Sequence, residues 1–190
     1  VTVSKSFKAK TCAHAHGEES IKNAVLAGVD SIEHGHDINE EVAELMKANN
    51  TFVVPTLMAV SSRNQRAHLK GLDKEREYNL KKRIRETLDI YRLKGVRIGF
   101  GSDAAIPYIS HGRQAVEFEL MVEYGLTTAE ALIASTRTNA ELLGLDNQIG
   151  TIEVGKFADL TAYDKNPLND IRAMSDCKFV MKNGVVYKSS

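Results

Sequence analysis

Four of the six histidines in this chain fall in two close pairs, His14 with His16 and His34 with His36. Along a strand, residues two apart point the same way, so a His-x-His sequence can deliver two imidazoles to one side. Alternatively, one member binds a metal ion while the other, already in the turn, faces substrate. Neutral imidazole is a common ligand for zinc and similar ions, and a carboxylate completes many catalytic sites. Asp103, directly after Gly101 and Ser102, is the obvious carboxylate. Taken singly, a His-x-His is often a satisfied polar pair and a Gly-Ser-Asp is usually a turn. Their joint occurrence at the ends of successive strands points to a metal site.

The elements that must position these residues follow from the hydrophobic periodicity. A short apolar run at Thr11 to His14 precedes a helix at Glu18 to Ala27, with Ile21, Ala24 and Val25 on one face and Gly28 as a left-handed stop. Val29 to His34 reads as a second strand. Asp37 and Glu40 have capping-box spacing before a helix whose stripe is Ile38, Val42, Leu45 and Met46. Thr51 to Val54 is a third strand, ended by Pro55. A charged helix runs from Arg63 to Lys94, with Leu80, Ile84, Leu88 and Tyr91 at helical spacing. Gly95 breaks it before a fourth strand, Val96 to Phe100. Strands alternating with helices over short connections predict parallel β/α units. In β/α barrels the C-terminal strand ends hold the active site, and here three strand ends carry ligand-type residues.

Beyond Asp103 the pattern predicts further helices, with Thr-x-x-Glu boxes at Thr127 to Glu130 and Thr138 to Glu141, and Gly144 ending the last. From Gly150 the texture changes to short strands: Thr151 to Lys156, Ala158 to Tyr163, Phe179 to Met181 and Val185 to Tyr187. Asn183-Gly184 supplies a tight turn between the last two. The expected organisation is therefore a β/α unit over residues 1–149 and a small β appendage over 150–190.

Composition narrows the function classes. The 190 residues carry 25 basic and 25 acidic side chains, with no block of one sign. That argues against a broad surface for nucleic acid or anionic lipid. Lys81-Lys82-Arg83 is interrupted by Glu75, Glu77, Glu86 and Asp89 and reads as a solvated face. No run approaches the ~18 apolar residues of a transmembrane helix. The first ten residues lack an apolar segment and are not expected to be a signal peptide. The chain also lacks an initiator methionine, so localisation is open. Cys12 and Cys177 lack metal-ligand spacing and are expected to be free thiols.

The ordered set His14-Ala15-His16-Gly17, Ala27-Gly28-Val29-Asp30-Ser31-Ile32-Glu33-His34-Gly35, Val54-Pro55-Thr56-Leu57 and Gly101-Ser102-Asp103-Ala104 resembles the second half of the amidohydrolase superfamily. The nearest branch is the imidazolonepropionase-like group, which includes Xaa-Pro dipeptidases. The tail from Gly150 to Leu160, with Asn166-Pro167-Leu168 and Lys182 to Val186, resembles that superfamily's closing signature. The match extends over nearly the whole chain.

This resemblance implies the C-terminal half of a (β/α)8 TIM-like barrel, strands five to eight, followed by strands of a small β-sandwich domain. It implies that His14 and His34 bind metal from strands five and six. Asp103, from strand eight, contacts metal and shuttles the proton. His16 takes a substrate-facing position, and His111, in Ser110-His111-Gly112, is a candidate substrate contact; His36 and His68 are weaker candidates. The cofactor implied is zinc, as one or two divalent ions. The family's first-strand His-x-His and its bridging lysine or glutamate have no counterpart here, since a full barrel needs about 250 residues. Half a barrel leaves two strand edges unpaired, which invites pairing with the missing N-terminal half or with a second copy. The activity expected of the parent is hydrolysis of an amide, with dipeptides or N-acyl amino acids preferred and an imidazolone-like cyclic amide as the alternative. The isolated piece is then silent unless assembled.

Overall fold

The structure is a computed structural model that describes residues 1–61, 74–106 and 109–189. A short helix α1 (Thr2–Ser6) leads into strand β1 (Cys12–Ala15), helix α2 (Glu18–Ala27), strand β2 (Ser31–His34), helix α3 (Glu40–Ala48) and strand β3 (Phe52–Val54). The single-turn helix α4 (Leu57–Val60) follows, then α5 (Lys74–Lys94), α6 (Ala115–Glu123), α7 (Thr128–Ile133) and α8 (Asn139–Leu143). The chain closes with β4 (Leu160–Tyr163), β5 (Cys177–Lys182) and β6 (Val185–Ser189). Residues 63–73 of the long charged helix expected from the sequence, with His68, lie outside the described residues; its Lys74–Lys94 portion is helical.

The first three strands form a parallel sheet in the order β1-β2-β3, with Cys12 beside Ser31 and Ser31 beside Phe52. Their helices cover one face because the apolar positions recur at helical spacing. Ile21 and Val25 of α2, Val42 and Met46 of α3, and Ile84, Leu88 and Tyr91 of α5 are buried around Ile32 and Val53. Gly28 ends α2 in the left-handed region at φ +86°, as its spacing requires. β3 stops at Val54, one residue before Pro55.

The fourth strand is reduced to a contact. Ile98 forms a lone parallel bridge with Val53, tied by Val53 N–H to the Arg97 carbonyl at 3.0 Å and Gly99 N–H to the Val53 carbonyl at 2.8 Å. The reason lies one residue on. The amide of Asn139 takes both backbone groups of Phe100, accepting from its N–H at 2.9 Å and donating to its carbonyl at 2.9 Å. A side chain thus satisfies what a ladder would have.

Two helix starts differ from expectation. α3 is capped by Asn39, whose side chain accepts from Val42 N–H at 3.0 Å. Asp37 lies before the helix and faces Arg83 at 3.6 Å, because burying Ile38 keeps the chain out of helical geometry for two more residues. Thr138 caps nothing. It is buried in a π-helical turn, Ala134–Thr138, that joins α7 to α8 without a break. Thr127 and Glu130 do form the full capping box of α7.

The C-terminal strands make a separate antiparallel sheet, β4-β5-β6. Asn183 and Gly184 turn its hairpin with φ of +48° and +77°, the pair of positive values that a two-residue type I′ turn demands. The strand expected at Thr151 to Lys156 is absent; this stretch is turn and extended chain, with Ile152 88% exposed. Apolar residues with nothing to bury them against are not held in a ladder.

Candidate metal and active site

The carboxyl ends of β1, β2 and β3 converge on a histidine cluster. Donor atoms of His14, His16 and His34 lie within 4.8 Å of one another. His34 Nε2 is 2.8 Å from His14 Nδ1, and the His16 ring stacks on that of His34 with centroids 4.7 Å apart. His14 and His16 share a face by alternation, as their spacing requires. His34 does not belong there by register. It pairs with Ala15, while Glu33 pairs with His14, so an ordinary extended residue at 34 would point with Ala15, away from His14. Instead His34 adopts φ +76°. This left-handed backbone swings its ring across to the His14 side.

The same device recurs at the neighbouring strand ends. Thr56 has φ +47° and Asp103 φ +53°. Non-glycine residues rarely occupy this region, and for a β-branched threonine it is a true outlier, with a cost of about 1–3 kcal/mol. Such strain persists only where surrounding structure over-determines it, and His34, Thr56 and Asp103 carry it at the carboxyl end of the sheet.

Hydrogen bonding assigns the ring protons. The Thr56 hydroxyl donates to the Pro55 carbonyl at 2.8 Å, so it accepts from His34 Nδ1–H at 2.6 Å. That leaves the lone pair of His34 on Nε2, facing His14. An outer partner that fixes the tautomer in this way is what a metal-binding histidine requires. His36 is buried and donates from Nε2–H to the same Pro55 carbonyl at 2.6 Å. The His36 carbonyl accepts from Thr87 and the Gly35 carbonyl from Tyr91, at 3.0 and 2.8 Å, so α5 holds this turn from beneath. A Cβ on Gly35 would meet the Tyr91 hydroxyl at 2.6 Å, which explains the glycine.

Electrostatics favour the neutral form of His16, His34 and His36. Burial, then the charges of His14 and His16, hold His34 down at about 4, with Asp103 acting in the opposite sense. His36 is also lowered to about 4, first by burial. His16 is lowered by burial and by His14. Burial raises the Glu33 carboxyl; its bond from Ser31 at 2.6 Å opposes this, and the Asp103 charge adds to the rise. The lone pair on His34 Nε2, beside the nitrogens of His14 and His16, suits a divalent ion. Two nitrogens on one tetrahedral ion at about 2.0–2.1 Å each lie roughly 3.3 Å apart, so His14 and His34, at 2.8 Å, would part by about half an ångström to hold one. The donor set fits such an ion.

The residues singled out from the sequence thus divide. His14, His16 and His34 come together. Asp103 lies near enough for its charge to act on His34 and Glu33 but is not one of the clustered donors. His111 is exposed in the turn before α6 and is not in the cluster. Sequence reasoning did not single out Thr56 and Glu117. Thr56 stood within a quoted motif. Glu117 had no signal, since a glutamate in a helix reads as solvent-facing.

Comparison with known proteins follows the same lines. The chain is 33% identical over 184 residues to the ochratoxinase of Aspergillus niger, which covers 93% of this chain and 37% of that protein. It superposes on a Xaa-Pro dipeptidase with methionine in its active site at a TM-score of 0.86 and 35% identity, covering 99% of this chain and 47% of the other. A prolidase complexed with N-methylphosphonate-L-proline gives 0.85 and 34%, covering 100% and 48%. A 41-residue stretch is 54% identical to the imidazolonepropionase of Maricaulis maris, covering 22% of this chain and 10% of that protein. The chain therefore spans about half the length of the solved structures it matches, or less for the curated relatives. The amidohydrolase family profile matches residues 1–187, and with strand-end histidines gathered on a parallel sheet, the chain belongs to the amidohydrolase family.

Proposed function

We propose that this chain is the C-terminal half of a metal-dependent amide hydrolase, its parallel strands being part of a β/α barrel completed by other residues. The observation that carries the reading is the 2.8 Å approach of His34 Nε2 to His14 Nδ1, with His16 completing a trio of imidazoles whose donor atoms lie within 4.8 Å of one another. His14 and His34 hold one divalent ion, zinc by donor preference, and a second ion requires ligands from beyond this chain. The ion, when bound, polarises the scissile carbonyl and brings the pKa of its water toward neutrality. Asp103 takes the proton of the attacking water and returns it to the leaving nitrogen. His16 serves as a further donor or steadies the substrate, and His111 contacts substrate at the mouth.

Dipeptides and N-acyl amino acids are the substrates we favour, in keeping with the dipeptidase, prolidase and ochratoxinase among the similar proteins. A second reading, cyclic-amide hydrolysis, draws on the short match to an imidazolonepropionase. The exposed outer edge of β1 is where an N-terminal half, or a second copy, would add the next strand.

The test is elemental analysis with native mass, followed by assay of Xaa-Pro dipeptides, N-acyl amino acids and cyclic amides on the longest form of the protein. Near-stoichiometric zinc that is lost in His34→Ala supports the site. Zinc content equal in wild type and His34→Ala would sink it.

A further inference from the structure

Among the described residues, Glu117 is the one carboxylate among the largest fully buried side chains, at 0% exposure, and the catalytic scheme does not use it. It lies on α6, yet both its oxygens reach the start of α4. Oε1 accepts from Leu57 N–H at 2.7 Å and Oε2 from Met58 N–H at 2.8 Å. These are the first backbone donors after Thr56, groups with no partner inside so short a helix. Burial raises the carboxyl to about 8, with the bonds from Met58 and Leu57 acting in the opposite sense. Desolvating a carboxyl is costly, and ordinary capping of a four-residue helix does not call for it.

The position of those two amides gives a reason. Thr56 is held in a left-handed conformation that threonine rarely adopts. Its hydroxyl is the partner that sets the orientation and tautomer of His34. Fixing the N–H groups of Leu57 and Met58 fixes the peptide planes that follow Thr56, and with them the place of its hydroxyl.

We propose that Glu117 is a positioning residue for the metal site, acting through the Leu57–Met58 amides and the Thr56 hydroxyl to aim His34 Nε2. The inference rests on His34 being a metal ligand. It assigns Glu117 a role in metal affinity that neither its burial nor its distance from the ion would suggest.

The experiment is a mutant cycle of Glu117→Gln and Thr56→Val in the longest form of the protein, with His34→Ala as reference. Readouts are zinc affinity by calorimetry, the ¹⁵N shifts of the His34 ring, and thermal unfolding. Measured above about pH 8, where the carboxyl is ionised, Glu117→Gln keeps the side chain's size but replaces one acceptor with a donor aimed at an N–H. It is expected to weaken zinc about 10-fold or more, the usual loss for an outer-shell partner, and to mix the His34 tautomers. Thr56→Val should do the same, and the double variant should be no worse than either single one, because both cut one relay. Should Glu117→Gln not fold, Glu117→Asp takes its place in the cycle. Additive losses, or unchanged zinc affinity and ring shifts in the folded Glu117 variant, would overturn the proposal. If His34→Ala binds zinc as wild type does, the metal-site reading itself fails, a result separate from any outcome at Glu117.

Discussion

The two sheets of this molecule are built on opposite principles. In the parallel sheet β3 is buried throughout and β2 almost so, and non-glycine residues at three strand ends hold left-handed backbone. In the antiparallel sheet every residue of β6 is exposed, and the left-handed positions are an Asn-Gly turn that accepts them readily. The first region spends packing energy on holding awkward side-chain directions. The second is a three-stranded ladder held by its backbone bonds and a local turn. At His34 and Thr56 the left-handed backbone sits in buried surroundings that can offset its strain, and there the histidines converge.

This contrast can be broken or sharpened by measurement. The largest effect belongs to the parallel sheet: Ile32→Ala, at a position with 0% exposure, should lower unfolding free energy by about 2–5 kcal/mol in denaturant titration. Next comes Asn139→Ala, which leaves the N–H and carbonyl of Phe100 without their partner. We expect a loss of about 1–3 kcal/mol, with weakened zinc retention if the strand leading to Asp103 shifts. Neither variant should alter the ladder of β4 to β6, as amide exchange would show.

A pH series isolates Glu117. Its carboxyl is raised from 4.5 to about 8 in the folded chain, so between those values the folded state holds a proton that the unfolded state has released. Its contribution is fully present below about 4.5 and is lost as pH rises through 8. The melting temperature of wild type, less that of Glu117→Gln, should therefore fall across this window, each 1 kcal/mol reading as about 2–4 °C. A constant difference would mean that Glu117 does not titrate there. The smallest effect is assigned to the antiparallel sheet: Val186→Ala, on the exposed β6, should change stability by under about 0.5 kcal/mol. A loss matching that of Ile32→Ala would abolish the contrast.

Much of this was legible from residue order. The strand–helix alternation, the stops at Gly28 and Pro55, the Thr127 capping box and the Asn183-Gly184 turn depend on neighbours a few positions away, so local patterns carry them. His14, His34 and Asp103 could be picked out because strand ends are where such residues collect. The failures share a different cause. Asn39 displaced Asp37 as a cap because Ile38 is buried by distant residues. The fourth strand shrank to a bridge because Asn139, 39 positions on, took the bonds of Phe100. The strand expected at Thr151 to Lys156 found nothing to pair with among the described residues.

What the sequence by itself determined, then, is the family's ordered motifs, the parallel units and the supply of histidines at strand ends. Only the tertiary structure decided that His34 crosses to the face of His14, that Thr56 fixes its free nitrogen, and that Glu117 reaches the turn between them. The reason is physical. Pleat and helix periods are set by bonded neighbours, whereas a left-handed strand end or a buried carboxyl is tolerable only when contacts from remote segments compensate for it.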